Sequence, residues 1–162
     1  MMKRMIFQRG LLPIMAALLT QSVAWAQPSA DTTLLDMREA FRRNNAAALT
    51  AQLPQVQGHV LEPLARYWEA KARLETASAA ELREAMVRMA GTYWEDRLRN
   101  DWLLLLGQRR DWSTFAEELP RFRMNDDRQV QCYAQMLDAV DKRSPPDTVA
   151  RQVANLWLTQ RD

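Results

Sequence analysis

The stretch "GQRRDWSTFAEELP", Gly107 to Pro120, decides the fold once it is set beside "FRRNNAAALTAQLP", Phe41 to Pro54. Each runs through a pair of arginines, a capping-type polar residue, a short apolar segment and a Leu-Pro stop. The correspondence extends to the segment between them. Asn45, Ser78 and Asp111 recur at one constant interval, and Leu49, Leu82 and Phe115, then Leu53, Met86 and Leu119, recur at the same interval. In the alternate segments Leu34, Trp68 and Trp102 are also evenly spaced, at an interval one position longer. A period of about 34 residues with two helices per unit is the mark of a helical solenoid, because one hairpin cannot bury its apolar face alone and stacks on its neighbours. The expected fold is therefore all-α, a right-handed superhelix (α-solenoid) of antiparallel helical hairpins with a repeat of about 34 residues. A compact helical bundle is the alternative, and the register slips at "KRSPPD", Lys142 to Asp147.

Helix is expected almost throughout. Gly is scarce, with 4 in 162 residues, and Ala, Leu, Arg, Glu and Gln dominate over β-branched residues, a composition that favours helix. Apolar residues fall at helical spacing in six stripes. Leu34, Met37 and Phe41 form the first, and Leu61, Leu64, Ala65, Trp68 and Ala72 the second. Leu82, Ala85, Met86 and Met89 follow, then Leu98, Trp102, Leu105 and Leu106. Val130, Tyr133, Ala134 and Leu137 precede the last, Val149, Val153, Leu156 and Trp157. Ser78 with Glu81 and Thr92 with Glu95 read as capping boxes, and Asn45, Asp111 and Asp147 as further caps. Pro54 and Pro120 should stop helices, and Gly107 suits a helix C-terminus. The count is about eight helices and no strand.

The N-terminus reads as a secretory signal peptide over residues 1–26. Lys3, Arg4 and Arg9 precede the apolar run "LLPIMAALL", Leu11 to Leu19, and Ala24 and Ala26 form an A-x-A cleavage pattern. That run is too short to span a bilayer, and no Cys follows the cleavage site to carry a lipid. The mature chain, residues 27–162, is expected to be soluble and periplasmic, without a stable membrane anchor. The first 26 residues hold three basic residues and no acidic one, so 22 basic residues fall to 19 against 20 acidic ones. The high pI belongs to the targeting segment and gives no support to nucleic-acid binding.

No residue set reads as an active site. His59, in "QVQGHV", has no second His or carboxylate at ligand spacing, so no metal and no cofactor are expected. Trp68, Trp102 and Trp157 fall on apolar stripes and read as core anchors. Tyr67-Trp68 and Tyr93-Trp94 are neighbours that cannot share one helix face, so Tyr67 and Tyr93 are expected to point partly outward, where a ligand could stack. The mixed charge runs "MREAFRRN", "WEDRLRND" and "PRFRMNDDRQ" read as solvated helix faces, with Arg97, Arg99, Arg109 and Arg110 the alternative site for a polyanion. Glu117 and Glu118, adjacent on a helix, should diverge.

The order and spacing of several elements resemble the soluble lytic murein transglycosylases. These are Leu98-Arg99 with Trp102-Leu103, Arg110-Asp111-Trp112, Pro120, Gln131-Cys132 with Tyr133-Ala134, and Leu156 to Thr159. The earlier "MREAFRRNN" and "HVLEPLARYWEAKARLE" are similar to that family's first hairpins, so the resemblance spans the mature chain. It implies a periplasmic enzyme in which an α-superhelical scaffold supports a lysozyme-like domain with one catalytic Glu. That domain cleaves peptidoglycan between N-acetylmuramic acid and N-acetylglucosamine, leaving an anhydromuramyl end. The family's Glu-Ser step and "GLMQ"-like stretch are absent from this sequence. The chain is therefore expected to be the N-terminal part of the scaffold, truncated before the catalytic domain, inactive by itself, and in contact with peptidoglycan only through that domain. A stand-alone periplasmic adaptor for cell-wall protein partners is the second reading. Cys132 is the single cysteine. The resemblance pairs it with a Cys shortly beyond "LWLT", so Cys132 is expected to be unpaired here and to face the final helix around Val153 to Trp157. A small buried core residue is the alternative for it.

Overall fold

The computed structural model describes residues 29–141 and 145–158. The proposed signal peptide lies outside them. Among the described residues the chain is all-helical, with eight α-helices and no strand. They are α1 (Ala30–Arg42), α2 (Ala46–Gln52), α3 (Glu62–Ala72), α4 (Ala79–Arg88), α5 (Tyr93–Arg109), α6 (Trp112–Glu118), α7 (Arg128–Val140) and α8 (Pro146–Leu158). None of the described helices is long and apolar enough to cross a membrane.

The two quoted stretches have the same local structure for the same reason. Asn44 and Arg110 adopt left-handed backbone, with φ of 52° and 59°, and end α1 and α5. The next residue, Asn45 or Asp111, returns its N–H five residues back to the Ala40 or Leu106 carbonyl. Its side chain then caps the following helix, accepting from the Ala48 or Thr114 N–H. Each short helix runs into a 3-10 turn, Leu53–Val56 or Leu119–Arg121, with the proline near its start. A proline there loses no hydrogen bond and sets φ for the tighter turn. Ser78 caps α4 from the corresponding position, and with Glu81 it makes both halves of a capping box.

Three of the expected signals play other parts. Thr92 caps α5, but Glu95 accepts from the Gly91 N–H, 2.9 Å away, and not from the Thr92 N–H. Gly91 has φ of 78°, and that left-handed turn directs its N–H to the carboxylate. Asp147 lies inside the first turn of α8, not at its cap. Gly107 is buried within α5, and any Cβ there would fall inside the ring of Tyr133 on α7. It is a close-approach glycine, and Arg110 takes the helix-ending role.

α1 packs on α3, α3 on α5 and α5 on α7, so the odd-numbered helices lie side by side, with α2, α4 and α6 packed against them. One core cluster joins Met37, Leu49, Val56 and Ala65 beneath α1, α2 and α3. A larger one centres on α5, uniting Leu98, Trp102, Leu103 and Leu106 with Leu82 and Met86 of α4, Phe115 of α6 and Val130 and Leu137 of α7. The partly buried Trp68 touches both clusters. Trp102 is 3% exposed, as a core anchor should be, whereas Trp157 is 71% exposed. Trp157 misses the core because α8 packs chiefly on α7, through its half-buried Val149, Val153 and Leu156. Leu61, placed on the α3 stripe by spacing, is exposed at that helix's N-cap.

Candidate functional site

The charged residues are where structure departs furthest from sequence. "WEDRLRND" is not a solvated face: Asp96, Arg99, Asn100 and Asp101 are all buried. α5 is enclosed by α3, α4, α6 and α7, so even its polar positions meet protein. Burial of charge is tolerable only with partners, and each has them. Asp96 accepts from the backbone N–H groups of Arg123 and Met124, at 3.0 and 2.6 Å, and fastens the loop after the second 3-10 turn. Asp101 accepts from the Tyr67 hydroxyl at 2.8 Å and pairs with Lys71 at 3.0 Å. Burial, reinforced by the Asp101 carboxylate, pushes the Tyr67 phenol up to about 12. Tyr67 is thus 8% exposed and committed to the core, not turned outward. Only Tyr93 of that pair is exposed, at 57%.

The densest constellation surrounds Glu118, which is fully buried. It accepts from Arg83 Nε at 2.8 Å, from Arg121 at 3.0 Å and from Arg99. Arg99 also reaches Glu95. Glu117 is exposed and Glu118 fully buried, and Arg83 still spans both carboxylates, with its Nε on Glu118 and its Nη2 on Glu117. The Arg83 guanidinium is held further into its charged form by the Glu118 hydrogen bond. It also lies 5.7 Å from the Trp102 ring centroid. Its carboxylate accepts hydrogen bonds from three guanidinium groups, so Glu118 is an ion-pair hub joining α4, α5 and α6.

This pairing takes Arg99 out of the suggested polyanion site, while Arg109 and Arg110 stay exposed. Arg99 is buried in the hub, and Arg109 donates to the Glu75 carbonyl. Arg97 is hydrogen-bonded with Tyr67, which favours its charged form. His59 lies in a loop, its Nε2 3.0 Å from Asp31 and its Nδ1 accepting from the Leu61 N–H. No metal-binding cluster occurs among the described residues. Cys132 is free and half-buried. It does not line the cleft described next.

A cleft of about 720 Å³ opens between the second 3-10 turn, α7 and α8. Its walls carry the carboxamides of Gln131 and Gln135 from α7, Gln152 and Asn155 from α8, and Asn125 from the loop. Apolar contact comes from Leu119, Phe122, Ala134 and Leu156. Gln131 Nε2 donates to the Asn125 carbonyl at 2.6 Å, while the buried Gln135 Oε1 accepts no hydrogen bond. Composition alone gave no sign of this cleft; the signal was the i, i+4 pair of glutamines on α7, unremarkable without α8 opposite.

Comparison with protein-family models, characterised proteins and solved structures finds no match to this chain.

Proposed function

We propose that the chain is a non-catalytic helical scaffold of the soluble lytic transglycosylase type, acting in the periplasm. In this reading its hairpins stack as a right-handed superhelix with a unit of about 34 residues, and a separate lysozyme-like domain cuts the glycan strand. The observation that carries it is the recurrence of backbone detail at one spacing. Left-handed residues recur at Asn44 and Arg110, two units apart, and at Gly58, Gly91 and Asn125, one unit apart each. Glu62 and Glu95 both reach four residues back to a glycine N–H. Side chains bridge neighbouring units at the same interval: Tyr67 to Asp101, Arg83 to Glu117 and Arg109 to Glu75 are all 34 residues apart. Chance spacing of apolar residues would not also reproduce caps, turns and bridges.

The absence of catalysis rests on the commitment of the buried carboxylates Glu69, Asp96, Asp101 and Glu118 to internal partners. A general acid must instead lie within reach of a substrate atom. Incubation of the mature protein with purified sacculi should yield no anhydromuropeptides above a mock control. Mixing it with a separately expressed transglycosylase catalytic domain should give a complex by sedimentation. Anhydromuropeptides lost on removing one of its own carboxylates would refute the non-catalytic reading, and no complex would refute the transglycosylase assignment. A second reading, an adaptor that binds protein partners, is favoured by the cleft between α7 and α8, which a purely mechanical spacer does not need.

A further inference from the structure

We infer that the groove between α2, α3 and α4 binds a small zwitterion, an α-amino acid, whose carboxylate meets Arg66 and Arg88 and whose ammonium meets Glu84. This goes beyond the scaffold reading and does not depend on the transglycosylase assignment. Two grooves in the molecule correspond residue for residue. Thr50, Leu53, Pro54, Gln57, Arg66 and Arg88 line a hollow of about 210 Å³. Each has a counterpart 33 residues on, and those counterparts, Arg83, Met86, Val87, Ala90, Arg99 and Arg121, all line one second hollow between α4, α5 and α6. The ion pairs correspond as well, since Arg66 donates to Glu62 in the first groove and Arg99 to Glu95 in the second. The same site is thus built twice, with different side chains at its centre.

In the second groove the occupant is part of the chain. Glu118 accepts from Nη1 of Arg99 and Nη1 of Arg121, and Arg83 lies beside it, with its Nε on Glu118 and its Nη2 on Glu117. In the first groove Ala85 is the counterpart of Glu118, and Thr50 that of Arg83. Ala85 lines an adjoining hollow of about 270 Å³ that shares Leu53, Arg66 and Arg88 with the first. The two guanidiniums remain. Arg66 and Arg88 spend Nε and Nη2 on Glu62 and Glu84 of their own helices. Their Nη1 atoms, the ones that hold Glu118 in the second groove, have no partner among the described residues. The Glu62 carboxyl is held below its usual range first by the Gly58 N–H, then by Arg66, with Arg88 adding to it, so the two guanidiniums share one neighbourhood. Arg73, which also lines the groove, is taken up by Glu69 and Glu81. Glu84, the counterpart of Glu117, accepts from Arg88 on Oε1 alone, which leaves Oε2 for a cation. A carboxylate by itself would unbalance this set, because the second groove offsets Glu118 with Arg83. A ligand that carries both charges side by side restores the balance, as an α-amino acid does, through charge-assisted hydrogen bonds.

The test is NMR of the isotope-labelled mature protein with each standard L-amino acid in turn at millimolar concentration, following the amide peaks of residues 50–57 and 84–88. At least one amino acid is expected to shift those peaks saturably. That amino acid is then titrated as its carboxamide and as its N-acetyl derivative, and in its free form against Arg88→Ala and against Thr50→Arg combined with Ala85→Glu. The Arg88 side chain is 54% exposed, so its replacement leaves the fold intact even if the double variant does not fold. Each derivative, and Arg88→Ala, should weaken binding about tenfold, the scale of one hydrogen bond to a charged group. The double variant rebuilds the pairing of the second groove and should bind no amino acid. If no amino acid shifts the peaks, the proposal is overturned. A carboxamide that binds as tightly as the acid overturns the guanidinium contact, and an N-acetyl derivative that does so overturns the zwitterion. Binding unchanged in Arg88→Ala puts the ligand outside this groove and overturns the assignment.

Discussion

At the scale of single residues, the most informative is Glu118, a fully buried carboxylate that three arginines approach from α4, α5 and the turn after α6. Arg83 and Arg121 are exposed enough to turn to solvent if it is lost, but Arg99 is not. Glu118→Gln should therefore destabilise by about 3–5 kcal/mol, the cost of stranding a buried charge, and denaturant unfolding measures it. Replacing Arg99 and Glu118 together by Met and Leu should recover most of that loss; a double variant as unstable as the single one would contradict the account. Gly107 makes a second case. Gly107→Ala drives a methyl into the Tyr133 ring, and overpacking of this kind costs about 1–3 kcal/mol, against the usual gain for Ala in a helix. Thermal melting should show the loss, and Tyr133→Ala in the same chain should relieve it. Tyr67 supplies a pH signature. Its phenol is raised above its ordinary value of 10.0 to about 12, so the folded state favours the protonated form. The associated stability is present below pH 10 and is lost as pH rises through about 12. One phenol should thus ionise late in an ultraviolet titration and be missing from Tyr67→Phe; an unchanged curve would exclude it. The caps at Asn45, Ser78 and Asp111 were legible in the sequence because capping is local chemistry. The fates of Glu118, Tyr67 and Gly107 were not, because their partners lie far along the chain, on other helices.

At the scale of elements, α5 organises the described structure. Its buried residues are Asp96, Leu98, Arg99, Asn100, Asp101, Trp102, Leu103, Leu106 and Gly107. They cover most of its circumference, as expected of a helix with neighbours on several sides. Its Leu98, Trp102, Leu106 stripe was readable from spacing, but the burial of its polar residues was not. Periodicity reports one apolar face and says nothing of polar positions that other helices later cover. Trp102→Ala should cost about 3–5 kcal/mol as a large-to-small core change, measured by denaturant midpoint, and an effect below about 1 kcal/mol would place the indole outside a packed core. The terminal hairpin behaves in the opposite way. α8 has a clean apolar pattern, yet it has no buried residue, because α7 is its main packed neighbour among the described helices. Pattern predicted the helix, and topology decided how little of it is buried.

At the scale of the whole molecule, the all-helical class and the helix count were legible because Gly, β-branched residues and strand alternation are all sparse. The pairing of odd-numbered helices into one layer follows from the contacts α1–α3, α3–α5 and α5–α7. The proposed superhelix goes one step further and requires successive units to be related by one constant rotation and translation. Ala47, Ala80 and Ser113 test that relation. They are evenly spaced in the sequence, all exposed, in the first turns of α2, α4 and α6. Spin labels can replace them in pairs, with Cys132 changed to Ser, and dipolar coupling then gives the separations. The account predicts equal distances for the Ala47–Ala80 and Ala80–Ser113 pairs, with the Ala47–Ser113 distance close to their sum. Unequal neighbouring distances, or an Ala47–Ser113 separation shorter than either, would mean a folded-back bundle and contradict the stacked-hairpin scaffold.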